Sequence, residues 1–223
     1  MLEPIRVLHV LGNLNAGGAE SRTMDIYRNI DKRKIQFDFA IHTEEECFFT
    51  NEVLSLGGRI YNFPRFNGRN YRRYKKAWST FFREHPEYKT IHGHISSTAF
   101  IYLNEALKNN VPIRIAHSRN SNKDSIIKKY LSMLSRFYAT DLLAVSKLAG
   151  QSEFGKTAVN NGKVKIIPNA IDVKKYTYDK DIRMKKRYEL GVTDKLCICN
   201  IGRFHPQKNH TFTLKVFKAI KEK

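Results

Sequence analysis

Three histidines and two glycine-bearing turns are the residues whose types and spacing could do chemistry in this chain. His92 and His94 stand two apart in "IHGHIS", and His117 stands in "IAHSRNS", each at the end of a β-branched run. Ligands of open α/β sheets bind at the carboxyl ends of strands, so these imidazoles could line a cleft and handle hydrogen bonds or protons there. Two other readings remain: hydrogen-bonded supports for the loops, or a metal cluster, which would lack a carboxylate at ligand spacing. Gly12, Gly17 and Gly18 lie in "GNLNAGGAES", between an apolar run and a helical pattern. Missing side chains let backbone N–H groups approach a phosphate at a helix N-terminus, although a plain tight turn uses the same residues. Gly12 and Gly17 have the spacing of a P-loop, but Gly18 and Ala19 replace its Lys and Ser/Thr, and no G-x-G-x-x-G is present.

The second turn is "IGRFHPQKNH", Ile201 to His210. A strand end, Gly202, Arg203 and Lys208 around Pro206, and then a helical pattern make a site for a diphosphate: a guanidinium fork and an ammonium charge beside a helix start. A third stretch, "NYRRYKKAWSTFFREH", interleaves Arg72, Arg73, Lys75, Lys76 and Arg83 with aromatics. On a helix, Tyr74, Trp78, Phe81 and Phe82 share a face. That pattern fits a helix lying on anionic lipid, an aromatic face packed into the domain with a solvated basic rim, or a platform for single-stranded nucleic acid.

The elements that must position these residues read clearly. Apolar, β-branched runs recur at 5–11, 37–42, 59–63, 90–94, 113–117, 142–146, 164–168 and 196–202, mostly separated by segments of helical period. This alternation predicts an α/β fold with a doubly wound, mostly parallel sheet. A charge-rich, aliphatic-poor stretch sets the boundaries: a first domain over 1–168, a linker over 169–195 and the start of a second domain over 196–223. A second domain of this kind needs roughly 100 residues or more, so the chain is expected to be truncated.

Composition narrows the partners. The 40 Lys+Arg against 21 Asp+Glu give a net charge of +19, which points to anionic partners. Nucleic-acid binding rests on that charge alone, and sequence-specific recognition is not expected. No apolar run reaches the roughly 18 residues of a spanning helix, and the start "MLEPIRVLHVLGNLN" lacks the pattern of a secretory signal. A cytoplasmic location is expected. Cys47, Cys197 and Cys199 have no framework spacing; Cys197 and Cys199 are expected as buried small hydrophobes on one strand face.

The order of "GGAE" (17–20), "IHGHIS" (91–96), "AHSRNS" (116–121), "AVSKLAG" (144–150), "IIPNAID" (166–172) and "IGRFHPQKNH" (201–210) resembles glycosyltransferase family 4, the retaining enzymes of the GT-B fold that build bacterial capsules and exopolysaccharides. The resemblance covers nearly the whole chain. It implies two Rossmann-like domains, an N-terminal one for a glycan or lipid-linked acceptor at the cytoplasmic membrane face and a C-terminal one for a nucleotide-diphosphate-sugar donor, with no metal or other cofactor. It implies that Arg203 and Lys208 neutralise the donor diphosphate, that Gly17 and Gly18 approach donor phosphate and acceptor, and that His117 is the catalytic strand-end histidine beside the donor sugar. His92, His94 and Ser146 fall on the acceptor side. The family's two-glutamate donor motif has no counterpart in these residues, so an incomplete donor site is expected. A non-catalytic module that binds an anion or a partner chain is the alternative.

Overall fold

The computed structural model describes residues 3–120, 126–202, 204 and 206–222. Contacts divide the chain into two compact units, Met1–Ile171 and Asp172–Lys223.

The first unit is built on a seven-stranded, all-parallel sheet of β1 (Ile5–Val10), β2 (Ile35–Ile41), β3 (Ile60–Asn62), β4 (Thr90–Gly93), β5 (Ile113–Ser118), β6 (Asp141–Ala144) and β7 (Val164–Ile166). Its order is β3-β2-β1-β4-β5-β6-β7, so the winding direction reverses between β1 and β4. Helices α1 (Gly18–Asn29), α2 (Thr50–Ser55), α3 (Tyr71–Glu84), α4 (Ala99–Lys108), α5 (Ile126–Leu134), α6 (Lys147–Phe154) and α7 (Lys156–Asn160) make the crossovers. Parallel strands need such covered crossovers, and both faces of the central strands are therefore apolar. Alternation assigns the residues. Leu11, Phe37, Phe39 and Ile41 pack with Met24 and Tyr27 of α1 and Val53 of α2. Leu8, Val10, Ala40 and Ile91 pack with the aromatics of α3, Tyr102 of α4 and Phe154 of α6.

Close packing explains a glycine between two candidate histidines. A Cβ on Gly93 would collide with the ring and hydroxyl of Tyr102, and that hydroxyl donates to the carbonyl of Ile95 at 3.0 Å. Helix α4 thus rests directly on the β4 backbone. At the opposite, N-terminal edge, Asp38 is fully buried, yet it is saturated by Arg6, by the backbone N–H of Arg59 at 2.7 Å and by the Tyr88 hydroxyl at 2.7 Å. A buried carboxylate is tolerated only when paired and hydrogen-bonded in this way.

The aromatic face of α3 turns inward. Tyr74, Trp78, Phe81 and Phe82 are buried, and Trp78 stacks on Phe63 with centroids 3.9 Å apart. This corrects the reading of these aromatics as a lipid-inserting face: apolar rings on one helical stripe are better buried under β3 than left in water. Arg72, Arg73, Lys76 and Arg83 form an exposed basic rim.

The second unit contains α8 (Lys180–Glu189), capped by Asp179 and followed by Gly191 at φ 64°, and α9 (His210–Lys221), capped by Asn209. The expected strand over 196–202 is absent among the described residues, and Cys197 and Cys199 are exposed rather than buried. A strand exists only where another takes its backbone hydrogen bonds, and no second strand is described in this unit. Leu196 and Ile201 are accordingly 88% and 90% exposed. Among the described residues, no helix is long and apolar enough to cross a membrane.

The packing of α3 gives a direct test. Trp78→Ala should lower the unfolding free energy by about 3–5 kcal/mol in urea titration, whereas Arg72→Gln should change it by about 0.5 kcal/mol or less. Equal effects would contradict the inward orientation of the aromatics.

Candidate functional site

Register brings the histidines together. His9 of β1 lies opposite His92 of β4, which pairs with Ile115 of β5. His94 and His117 lie two residues further along their chains, and the strand period of two puts all four imidazoles on the face that carries α1. The His92 and His117 rings are nearly parallel, 8° apart, with His92 Nε2 to His117 Nδ1 at 2.9 Å. His9 Nδ1 lies 3.0 Å from His94 Nε2. Arg119, one residue beyond β5, donates from Nε to His94 Nδ1 at 3.1 Å and from Nη1 to Asn169 Oδ1 at 3.1 Å.

One proton assignment is forced. Guanidinium only donates, so His94 accepts at Nδ1 and carries its proton on Nε2. That proton goes to His9 Nδ1, leaving the His9 proton on Nε2, a buried atom without a polar partner. The His9 ring packs among aromatics there, 4.2 Å from the Phe37 centroid. All four rings are held neutral, first by burial and then by neighbouring positive charge. His92 is pulled down to about 3 and His117 to about 2, with Arg119 the next cause for both; His9 and His94 also fall well below the ordinary range. Burial lowers Arg119 itself to about 10, against an attraction from Glu20, so it keeps its charge at neutral pH.

His9, His92 and His94 each offer a nitrogen, all within 4.8 Å of one another, at the spacing of a metal cluster. Three neutral imidazoles are a donor set that zinc accepts, but here both nitrogens of His94 are committed, Nδ1 to the guanidinium of Arg119 and Nε2 to His9 Nδ1, and a positive charge already stands beside the rings.

The remaining sequence candidates divide. Gly17 caps α1 in an extended conformation at φ −94°, which any residue adopts, and a Cβ there would meet only the carboxylate end of the flexible Glu20 side chain. A Cβ on Gly12 or Gly18 would meet nothing within 4 Å, so both leave open space around the turn. Ser146 serves the backbone: its hydroxyl accepts from Ala149 N–H at 3.1 Å and caps α6. Lys208 is exposed and ends a short 3-10 helix just before α9. Arg203 lies outside the described residues.

Sequence reasoning missed two features. His9 sits inside a strand, where its alternation with Val7 and Leu11 was the available signal. The other is a cleft of about 610 Å³ at the carboxyl ends of β1 to β4, lined by Asn13, Asn15, Thr43, Glu45, Arg65 and Phe66 among others. His42 borders it as a fixed neutral ring, donating from Nδ1 to the Leu11 carbonyl at 3.1 Å and accepting at Nε2 from the Tyr74 hydroxyl at 2.8 Å.

The doubly wound parallel sheet, with its strand order reversing between β1 and β4, is the α/β architecture of GT-B glycosyltransferase structures. Residues 16–175 match the family model described as Glycosyltransferase Family 4, and the chain belongs to that family. It is 34% identical over 227 residues to the Bacillus subtilis (strain 168) protein named glycosyltransferase EpsF, covering 98% of this chain. It is 24% identical over 231 residues to the Staphylococcus aureus capsular polysaccharide biosynthesis glycosyltransferase CapH, again over 98% of this chain. The chain spans 59% of the length of each. Among solved structures, HepE of Anabaena in complex with UDP superposes over 96% of this chain and 57% of its own, with a TM-score of 0.75 at 16% identity. HepE with UDP-glucose superposes with a TM-score of 0.76 at 16% identity, over 95% of this chain and 57% of its own.

The neutral histidines give a pH dependence. Below about pH 6.5 the unfolded chain binds protons at these rings and the folded chain does not, so stability is complete above that pH and falls as pH drops toward the folded values of about 3 for His92 and about 2 for His117. The expected slope is of order 1.4 kcal/mol per pH unit for each ring. Urea unfolding at fixed ionic strength should show this loss, and His92→Asn should flatten it; an unchanged slope would mean that His92 is charged in the folded protein.

Proposed function

We propose that this chain supplies the acceptor side of a retaining, nucleotide-sugar-dependent glycosyltransferase acting in polysaccharide or lipid-linked glycan synthesis. The observation that carries the reading is the pairing of the cleft with the histidine corner in a family 4 chain. The cleft offers planar polar groups from Asn13, Asn15, Glu45 and Arg65 and one aromatic face, Phe66, the combination that grips a pyranose by its hydroxyls and its C–H surface. Beside it, a neutral His117 cannot compensate charge, and its role in the proposal is a hydrogen bond to the donor sugar. Gly17 and Gly18 give the donor close approach to the backbone, and Lys208 with Arg203 neutralise the diphosphate. The donor is proposed to be a nucleotide-diphosphate-sugar; the titles of the HepE structures name UDP and UDP-glucose for that protein. No metal is assigned to the reaction.

The acceptor is a glycan, free or lipid-linked. The exposed rim of Arg72, Arg73, Lys76 and Arg83 on α3 suits electrostatic docking on an anionic membrane, with the protein on the cytoplasmic side. Such docking needs no buried aromatic to leave the core.

Acceptor binding is the test. Titrating a lipid-free oligosaccharide acceptor into the isotope-labelled chain should shift the amides of Asn13, Asn15, Thr43 and Phe66, and Phe66→Ala should weaken binding about tenfold. Shifts confined to another face, or an affinity indifferent to Phe66, would remove the acceptor from this cleft.

A further inference from the structure

Other arginines of this unit show how the fold treats a cation with a structural task. Arg6 is held by both carboxylate oxygens of Asp38, and Arg28 by Glu52 and Asp25. Arg114, at the N-terminal edge of β5, caps the carbonyls of Val111 and Tyr138. Arg119 is placed differently. It stands at the carboxyl edge, beside the reversal of strand order, and is anchored through Nε and Nη1 by two neutral acceptors, an imidazole nitrogen and an amide oxygen. The anchor itself is braced, since His94 is fixed by its bond to His9 in the core. Nearby Glu20 attracts the guanidinium, but the groups that orient it do not cancel its charge. In the same corner, His117 Nε2 is buried without a hydrogen-bond partner, although the residue is only 6% exposed. A charged guanidinium oriented by neutral acceptors, near an imidazole nitrogen without a partner, is suited to receive a ligand.

We propose that Arg119 is an anion-binding residue of this domain, presenting its guanidinium to a phosphoryl group at the carboxyl edge of β5, with His94 and Asn169 as its positioning residues. The fork of N–H donors matches phosphoryl oxygens, and the planar group held at Nε has its orientation set before the ligand arrives. His117 stands beside it with its one remaining donor kept for the sugar: when His92 donates from Nε2 to His117 Nδ1, the His117 proton sits on Nε2. The proposal rests on the nucleotide-sugar reading, in which the phosphoryl group belongs to the donor diphosphate.

Inorganic pyrophosphate titrated into the isotope-labelled chain tests it without the sugar or the nucleotide. Binding should shift the side-chain resonances of Arg119, His94 and His117. Arg119→Gln should weaken it about tenfold or more, and Arg119→Lys, which keeps the charge without the fork, by less. His94→Gln keeps an acceptor for Arg119 Nε and should retain most of the affinity, whereas His94→Phe should lose as much as Arg119→Gln. Arg33→Gln removes the same charge from an exposed side chain before β2 and should leave affinity within about twofold. Wild-type affinity in Arg119→Gln, or equal weakening in Arg33→Gln, would overturn the proposal, the latter by showing diffuse attraction to a chain of net charge +19. Arg119-dependent binding of pyrophosphate with no binding of UDP-glucose would support it while counting against the donor reading.

Discussion

A desolvated corner of sheet can hold one positive charge and no second. Where β1, β4 and β5 end, four imidazoles and one guanidinium share that corner, and the guanidinium takes the charge because its ordinary pKa lies far above theirs. The rings must then be neutral, and once neutral they have to exchange protons as donors and acceptors. From Arg119 through His94 to His9 the sequence of donors runs one way only. The same constraint turns a cluster with metal-ligand spacing into one that disfavours a cation. It also leaves the chain's other bases to the periphery: α3 sends its rings into the core and keeps Arg72, Arg73 and Lys76 in water.

What the sequence makes legible follows from how each element is stabilised. Strands buried on both faces read as continuous β-branched runs, and the seven runs with neighbours to pair with became the parallel sheet. The eighth, "LCICNIG", has the same composition but no strand beside it among the described residues, so propensity alone could not produce a ladder. Period is equally mute about which way a helix faces. Tyr74, Trp78, Phe81 and Phe82 make the same stripe whether it meets lipid or core, and only the place of Phe63 against Trp78 decides.

The site was legible where side chains sit at strand ends and obscure where register does the work. His92, His94 and His117 could be chosen because ligands of such sheets gather there. His9 joins them through its pairing with His92, a relation between residues 83 positions apart that no local pattern carries. Ser146 shows the converse: a conspicuous residue at the right end of a strand, spent on capping α6. Gly17 looked like a phosphate-approach glycine, and its immediate steric neighbour is the carboxylate of Glu20.

The carboxyl edge is divided into two environments, and on the proposed reading one would serve a neutral hydroxyl and the other a sugar leaving a diphosphate. The cleft by Phe66 is polar and carries Glu45 with Arg65, opposite charges in one space, which favours hydroxyl recognition over anion capture. The histidine corner sets the charged Arg119, with Glu20 as its nearby counter-charge, behind neutral rings that give a bound hydroxyl no strong base. Were the histidines protonated, their mutual repulsion would disrupt the ring pairs that brace Arg119, and the corner would lose orientation while gaining charge. Depressing the imidazole pKa values thus secures geometry at the expense of electrostatic strength. For a group proposed to meet a phosphoryl oxygen at a fixed place, orientation is the scarcer property, because the chain already carries charge in excess.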